Sequence, residues 1–261
     1  MRRQKLVICL WSAMVVLFWF GEVLSASSPV EVKMGRGRAQ ITVLKGVADL
    51  VKEDQSKIGD LKKGDYLARG SIVKTGPGAR IELKLPDRSY IRFAEKTTFE
   101  LVSLATNKKD KRRDVRVKMM VGKTWAKVSK NRRGRFALSA KTAVAGVRGT
   151  TYRMNVNPDD SVVIKVYWGE ILVEAKKQAE AGQAMTKPKR VLGPTPIAGP
   201  RPVTLEEWTY IVSSLQQINI SPDGKPAKPF RFDIMADLND WVRWNKERDK
   251  QLKGDEYQDQ P

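Results

Sequence analysis

The stretch of the sequence that looks most like a ligand-binding loop is TAVAGVRGTTYRMNV, residues 142–156. Gly146 and Gly149 flank Arg148 inside a segment whose Val, Thr and Tyr residues favour a β-strand. Because glycine weakens a strand, the pair predicts either a ligand-cradling loop or a bulge or tight bend. Counting back along the strand gives Arg148 inward parity, which predicts a buried guanidinium held by a carboxylate or by backbone carbonyls.

Two nucleotide-related interpretations of the glycines fail. GKT at 122–124 is similar to the end of a phosphate-binding loop, but Val117 stands where that motif needs its first glycine. GVRG at 146–149 is similar to the nucleic-acid loop of KH domains, which joins two helices, whereas both flanks here favour strands. We therefore expect no nucleic-acid partner.

The residue types present in the chain exclude several kinds of catalysis. Its 261 residues include no His and one Cys, Cys9, whereas zinc sites mostly need Cys or His and many acyl-transfer triads need a His base. A carboxylate pair such as Glu82 with Glu100 is the kind that a glycosidase uses. Both residues have the outward parity of their strands, so a solvated face explains them. We predict a protein that is not an enzyme and has neither a catalytic residue, a metal nor another cofactor.

Two basic runs, residues 108–118 and residues 130–135, contribute much of the formal net charge of +20. Charge runs are usually a solvated surface, and this interpretation stays open beside a second one. In the second, the runs contact an anionic partner such as a lipid head group, lipopolysaccharide or an acidic glycan. The candidate contacts are Lys108, Lys109, Lys111, Arg112, Arg113, Arg132, Arg133 and Arg135.

The first 26 residues predict a secretory signal peptide. MRRQK is a basic start, an apolar run follows from Leu6 to Phe20, and LSASS offers small residues for cleavage. The apolar run is shorter than the roughly 18 residues of a spanning helix, although an uncleaved anchor stays an alternative. The prediction places the mature protein in the periplasm or otherwise outside the cytoplasm, and not across the membrane after cleavage.

Apolar and charged residues alternate in short runs from about Gln40 to Ala175, with turn signals between the runs. This pattern predicts an all-β single domain of about ten to twelve short strands, solenoid-like or a sandwich, with one face on a core and the other charged. The predicted core positions are Ile81, Leu83, Leu85, Ile91, Phe93, Phe99, Leu101, Val115, Val117, Met119, Phe136, Leu138, Val162, Ile164, Val166, Ile171 and Val173.

Beyond the strands, the proline-rich residues 187–203 predict an extended linker, and residues 204–254 predict a small α-helical tail before a disordered end at 255–261. A capping-box pattern at Thr204 begins the first of two predicted helices, and Asp233 is the predicted cap of the second, which stops at Gly254. We expect the tail's Trp208, Trp241 and Trp244 to pack on the β domain or on a partner.

Several segments together resemble the FecR protein domain family. Residues 142–156 resemble its signature, in which a Val-Arg-Gly-Thr core precedes an aromatic strand, and further pieces from LKKGDYL to AEAGQAM follow the family's order over about residues 45–185. Arg88 departs from the pattern, since the family has Gly in an Asp-Gly-Ser turn, and Ser139-Ala140-Lys141 replaces its Thr-Pro-Thr. The motif residues, with a structural role expected, are Gly146, Val147, Arg148, Gly149 and Thr150.

The resemblance implies an all-β extracytoplasmic domain at residues 39–186 without catalytic activity. Well-known members are transmembrane regulators that contact an outer-membrane transporter and control a sigma factor from the cytoplasm; with only MRRQK before the apolar run, the second role is not expected here. We predict a non-enzymatic binding or sensing module of the cell envelope that engages a protein or ligand in signalling or envelope organisation. The alternative is a structural protein that adheres to anionic surface polymer or lipopolysaccharide through its basic face.

Overall fold

The structure is a computed structural model that describes residues 35–258, except residue 108, residues 131–132 and residues 176–207. The predicted signal peptide and linker lie outside the described residues. The described chain forms eighteen strands and one helix, in the following order: β1 (Gly35–Arg36), β2 (Ala39–Lys45), β3 (Ala48–Val51), β4 (Lys57–Asp60), β5 (Tyr66–Leu67), β6 (Ile72–Thr75), β7 (Arg80–Lys84), β8 (Tyr90–Phe93), β9 (Thr98–Asn107), β10 (Arg112–Lys127), β11 (Arg133–Ser139), β12 (Ala143–Val147), β13 (Thr151–Val156), β14 (Val162–Trp168), β15 (Glu170–Ala175), β16 (Thr209–Ser213), β17 (Gln216–Ile220), β18 (Phe230–Arg231) and α1 (Asp240–Gln258). The all-β prediction with a small helical appendage is confirmed, although the strands are more numerous because several have only two to four residues.

The strands form two sheets that share the long strand β10. Sheet A has the order β4-β3-β6-β9-β10-β11-β12-β15-β16, with β1 also on β9. Sheet B has the order β5-β2-β7-β8-β10-β13-β14-β17-β18. Strand β10 pairs within sheet A up to Val121 and within sheet B from Gly122. A Cβ at Gly122, where φ is +111°, would lie 2.3 Å from the Thr97 hydroxyl oxygen, so glycine permits this crossing.

The hydrophobic core lies between the two sheets. All the core positions predicted from the alternation are buried there, which confirms the period-two interpretation. Phe93 of sheet B and Phe99 of sheet A stack across the core with ring centroids 3.5 Å apart. The two layers therefore form a sandwich around one core.

The first predicted tail helix is wrong over the described residues, because two strands, β16 and β17, lie there and are joined by a tight turn. Strand β16 extends sheet A beside β15, and β17 extends sheet B beside β14. Val212 and Ile218 point into the core, and Leu215 adopts a positive φ of 64° in the turn between the strands. The β-branched residues favour strands, and the open sheet edges supply backbone partners that an isolated helix would not use.

The second predicted helix exists as α1, with different ends. Its N-cap is Asn239, whose Oδ1 accepts the backbone N–H of Val242 at 3.1 Å. The predicted cap, Asp233, instead closes the turn that precedes the helix. The helix also continues past Gly254.

Candidate functional site

Residues 146–150, the motif residues of the signature, end strand β12 and turn the chain into β13. Gly146 lies inside regular pairing, opposite Ala137 on β11 and Leu172 on β15, so the bend predicted from the glycines is not here. A Cβ at Gly146 would meet only the Leu172 carbonyl oxygen, at 3.8 Å. The fold therefore has room for a side chain at Gly146.

Gly149 makes the bend. Its φ is +64°, and a Cβ there would lie 2.2 Å from Cγ of Lys130, so both the backbone and the packing require glycine. The Lys130 ammonium lies 3.9 Å from the ring centroid of Trp168, within cation–π range. Thr150 Oγ1 donates to the carbonyl of Glu170 at 2.9 Å. Three connections therefore meet at one end of the sandwich: β10–β11 at Lys130, β12–β13 at Gly149 and Thr150, and β14–β15 at Trp168.

Arg148 is exposed, so the prediction of a buried guanidinium is wrong. That prediction counted parity back from Tyr152 and Met154 in β13. The turn at Gly149 shifts the count by one residue, and the inward side of β12 is occupied by Val147 instead. Three other arginines are buried in the described chain: Arg92, Arg113 and Arg153.

Gly146 is the floor of an open groove on the outer face of sheet A. The groove has a volume of 570 Å³ and includes Leu172 and Ile211, whose side chains are 39% and 63% exposed. Arg135 and Arg148 add positive charge to its lining. The groove therefore offers apolar and cationic surface together. Three of its lining residues, Gly146, Leu172 and Ile211, lie opposite one another in register on the adjacent strands β12, β15 and β16.

The two basic runs lie side by side, because β10 and β11 are parallel neighbours with Arg112 opposite Arg133. Five of the predicted contacts are exposed along these strands and the preceding turn, and we call them the basic strip: Lys109, Lys111, Arg112, Arg133 and Arg135. Lys108 and Arg132 lie outside the described residues. Since Arg135 also lines the groove, the strip and the signature meet there.

Arg113 is fully buried, so its prediction as a partner contact is wrong. Its Nη1 donates to Asp87 Oδ2 at 2.7 Å and to the Ser129 carbonyl at 3.1 Å. The guanidinium carbon also lies 5.1 Å from the ring centroid of Phe136. Arg113 therefore joins β10 to the β7–β8 turn, and its charge is paired with the Asp87 carboxylate inside the protein.

The outer face of sheet B is covered by α1, an arrangement that we call the clasp. Glu82 was predicted on a solvated face but is completely buried there. It accepts hydrogen bonds from Arg92 Nε at 2.6 Å, Arg248 Nη2 at 2.8 Å and Thr42 Oγ1 at 2.7 Å. Burial opposes ionisation, but the Arg248 hydrogen bond and the charge of Arg92 hold the pKa of Glu82 below its ordinary value of 4.5.

The paired-carboxylate interpretation finds no support in this geometry. Glu82 belongs to β7 of sheet B, whereas Glu100 belongs to β9 of sheet A and is half-buried. Glu82 is also occupied by three donors, so it is not placed to work on a substrate with Glu100. The described residues contain no group of three or more Cys, Asp or Glu side chains that could hold a metal ion.

A carboxylate of α1 anchors the middle of the clasp. Asp249 accepts hydrogen bonds from Arg92 Nη1 at 2.7 Å and from the indole of Trp125 at 3.0 Å. Asn245, one turn earlier, is fully buried and its Oδ1 lies 3.3 Å from Arg92 Nη1. Arg92 therefore connects a strand of sheet B with two turns of the helix.

A second carboxylate anchors the segment that leads into α1. Asp237 accepts hydrogen bonds from Arg153, from Lys165 Nζ at 2.8 Å and from the Tyr167 hydroxyl at 2.5 Å. Burial, and to a lesser degree the neighbouring Asp237, raise the pKa of Tyr167 far above its ordinary value. The hydroxyl therefore stays protonated as a donor.

Sequence reasoning missed the clasp, because charged residues at outward positions were assigned to solvent. One signal was available: Thr124, Trp125 and Ala126 interrupt the alternation of β10 and are all buried. A strand buried on both faces needs a cover on its outer side, and the tryptophan-bearing tail was the available cover. The described tail tryptophans do pack on the β body.

Among the comparisons with known proteins, the family model agrees with the resemblance seen in the sequence. A family model described as FecR protein matches residues 71–172, which include the signature and the basic strip. Two crystal structures of a proposed anti-sigma factor from Parabacteroides distasonis ATCC 8503, at 2.50 and 1.65 Å resolution, each align with 62% of this chain at 13% identity and a TM-score of 0.43. The alignment spans 60% of the length of that protein. No curated protein sequence matches.

The match runs from β6 into β15 and includes every residue that lines the groove except Ile211. Among the described residues, no helix combines the length and the apolar character needed to cross a bilayer. The predicted family is confirmed over the matched region: residues 71–172 of this chain are a FecR domain.

Proposed function

We propose that this protein is a non-enzymatic binding module for sensing or signalling at the cell envelope, and that it engages its partner through the groove of sheet A. The FecR domain supports a regulatory role. The observation that carries the proposal is the meeting of two separate sequence features in one open groove. The signature contributes Gly146 and Arg148, and the basic strip contributes Arg135.

The groove favours a protein segment with acidic and apolar side chains. Arg135 and Arg148 attract carboxylates, while exposed Leu172 and Ile211 are the kind of apolar surface that monomers usually bury against partners. Glu170 is the one acidic residue that lines the groove, so the local charge stays positive. The predicted signal peptide supports a partner in the envelope.

Capture from solubilised envelope fractions at low and high salt tests the proposal. We expect the parent protein to retain a discrete protein in high salt, because apolar contacts in a shaped groove persist when charges are screened. The double variant Arg135→Glu/Arg148→Glu should lose that protein. The matched control Lys109→Glu/Lys111→Glu makes the same charge change on the strip outside the groove and should retain it.

The experiment contradicts the proposal if both double variants lose capture equally, or if high salt abolishes all capture. Either result would favour the second candidate function, adhesion to anionic surface polymer. One observation supports that candidate: the register of β10 and β11 concentrates Arg112 and Arg133 beside each other outside the groove. Adhesion to lipopolysaccharide should then fall steeply with ionic strength in both variants.

A further inference from the structure

A second cavity, of 310 Å³, lies at the end of the strands remote from the signature turn. The turns β6–β7, β8–β9 and β13–β14 line it together with the corner of β10 at Gly122. Trp241 is the lining residue that α1 contributes. The cavity therefore lies where the clasp helix begins to contact the β body, and it is separate from the groove of sheet A.

The charged residues around this cavity favour an anion. Arg80, Lys96 and Lys123 line it, against one carboxylate, Glu95. That carboxylate already accepts the backbone N–H of Gly78 at 2.6 Å. The lining therefore carries an excess of cations, of which Arg80 is half-buried and Lys96 and Lys123 are exposed.

The side chain of Trp241 supplies a hydrogen-bond donor that the described residues leave unused. The residue is 9% exposed, and its indole Nε1 is buried without a hydrogen-bond partner among the described residues. Buried donors without a partner are uncommon in folded proteins because their desolvation is uncompensated. Since Trp241 lines the cavity, a ligand bound there would lie beside the residue that carries this unused donor.

The remaining lining is mostly apolar, and Asn157 is its one further polar side chain. Ala79, Ala94 and Val156 are buried at the cavity, and Val121 is half-buried beside them. Small-molecule sites typically combine such apolar walls with a few polar groups that fix the orientation of the ligand. The walls suit a compact apolar group attached to the anion.

We propose that this cavity binds a small organic anion, a carboxylate or phosphate attached to a compact apolar group. Arg80, Lys96 and Lys123 hold the anionic group, and the Trp241 N–H donates to one of its oxygens. Because Trp241 stands in the first turn of α1, the bound anion ties the helix to the β body. Ligand binding therefore stabilises the clasp, which gives the module a means of responding to a small molecule.

Indole N–H resonances of the full chain, measured by ¹⁵N–¹H NMR, test this site. The probes are benzoate and phenyl phosphate, and Trp241→Phe assigns the Trp241 resonance by its disappearance. We expect both probes to shift the Trp241 resonance saturably, whereas the resonance of exposed Trp168 stays unchanged as an internal control. The variant Lys96→Ala/Lys123→Ala should bind both probes several-fold more weakly. Lys118→Ala, on sheet A away from the cavity, should bind them as the parent does.

Two results overturn the proposal. One is a Trp241 resonance that neither benzoate nor phenyl phosphate shifts. The other is unchanged affinity in Lys96→Ala/Lys123→Ala, whose exposed side chains are not part of the core, so that loss of folding does not confuse the result. Neither result affects the groove of sheet A, which has its own test.

Discussion

Two glycines three residues apart have different roles in the signature. Gly149 is required by the fold, because its positive φ and the packed Lys130 leave no place for a Cβ. Gly146 is not required in this way, since its nearest neighbour leaves ordinary van der Waals space. Its missing side chain instead opens the groove. At the scale of residues, the signature therefore contains one structural glycine and one that shapes a surface.

Alanine substitutions separate the two roles. Gly149→Ala should lower the free energy of unfolding by roughly 1–3 kcal/mol, because the residue keeps a left-handed backbone and meets Lys130. Gly146→Ala should leave it unchanged or raise it by about 0.5–1 kcal/mol, since alanine is better than glycine in a strand. Urea unfolding of both variants measures the difference. Equal destabilisation by the two substitutions would contradict this assignment.

Arg88 explains why the family pattern has glycine in its turn. The residue adopts a φ of +67° between β7 and β8, where the Leu85 N–H donates to the Ser89 carbonyl at 2.8 Å. Non-glycine residues are strained in this left-handed region. Its side chain is exposed, so little packing offsets the strain. The departure noted in the sequence is thus kept at a local cost.

Arg88→Gly should raise the free energy of unfolding by about 1 kcal/mol or less, because relief of the strained φ exceeds the extra chain entropy that glycine loses on folding. Arg88→Ala is the matched control, since it removes the side chain and keeps the strain. We expect thermal melting of Arg88→Ala to match the parent. A glycine variant that melts below the alanine variant would refute the explanation.

At the scale of elements, the clasp depends on buried charges that complete one another. Glu82 and Arg92 on sheet B meet Arg248 and Asp249 on α1, so neither layer is electrostatically satisfied alone. Removing one member of a buried ion pair leaves an uncompensated charge, which typically costs about 3–5 kcal/mol. These buried ion pairs therefore make α1 an integral part of the folded domain.

Glu82→Gln should destabilise the protein by several kcal/mol, roughly 3, because Arg92 and Arg248 lose the buried carboxylate of Glu82, and Asp249 remains as a partner of Arg92. The lowered pKa also predicts a pH dependence. The stabilisation is fully present above the ordinary pKa of 4.5 and is lost as the pH falls through the lower pKa of the folded state. Urea unfolding at several pH values checks both statements.

The control for this prediction is Glu100→Gln, on half-buried Glu100 of sheet A. Glu100→Gln should keep most of the acid-induced loss of stability that the parent shows, whereas Glu82→Gln should show less. If the two variants lose stability with acid to the same extent, Glu82 is not the group that responds.

The alternation within single strands made it possible to predict which side chains face the core. It did not predict which segments pack on the outer face of each sheet. For Ile81 and Leu83, the local alternation of apolar and charged residues alone predicts that the side chains face the core. The environment of Glu82 depends on a helix more than 150 residues later in the chain, which no local pattern contains. For β16 and β17, a helical spacing of apolar residues was overruled by pairing with β15 and β14.

The sequence did not predict the groove either, although several of its residues were identified there. Gly146, Arg148 and the basic runs were each singled out, but the pairing of β11 with β12 decides that they share a face. The parity of Arg148 failed because a turn with positive φ, at Gly149, interrupts the count. Arg113 failed because a basic run was treated as uniformly exposed.

At the scale of the whole molecule, the two outer faces of the sandwich differ. The outer face of sheet B is closed by α1, with its charges paired. The outer face of sheet A carries the groove, exposed Leu172 and Ile211, and the basic strip. Because the described residues leave this face open, it is the surface on which a partner can add contacts without displacing part of the fold.

The measurement that tests this account most directly is the affinity of Gly146→Val for the envelope protein captured by the parent, taken together with its melting temperature. The matched control is Gly59→Val, on β4 at the far side of sheet A, where a Cβ meets nothing within 4 Å. We predict that both variants melt at or above the temperature of the parent, and that Gly146→Val alone loses the partner. A folded Gly146→Val that binds as tightly as the parent would show that the groove is not the binding site.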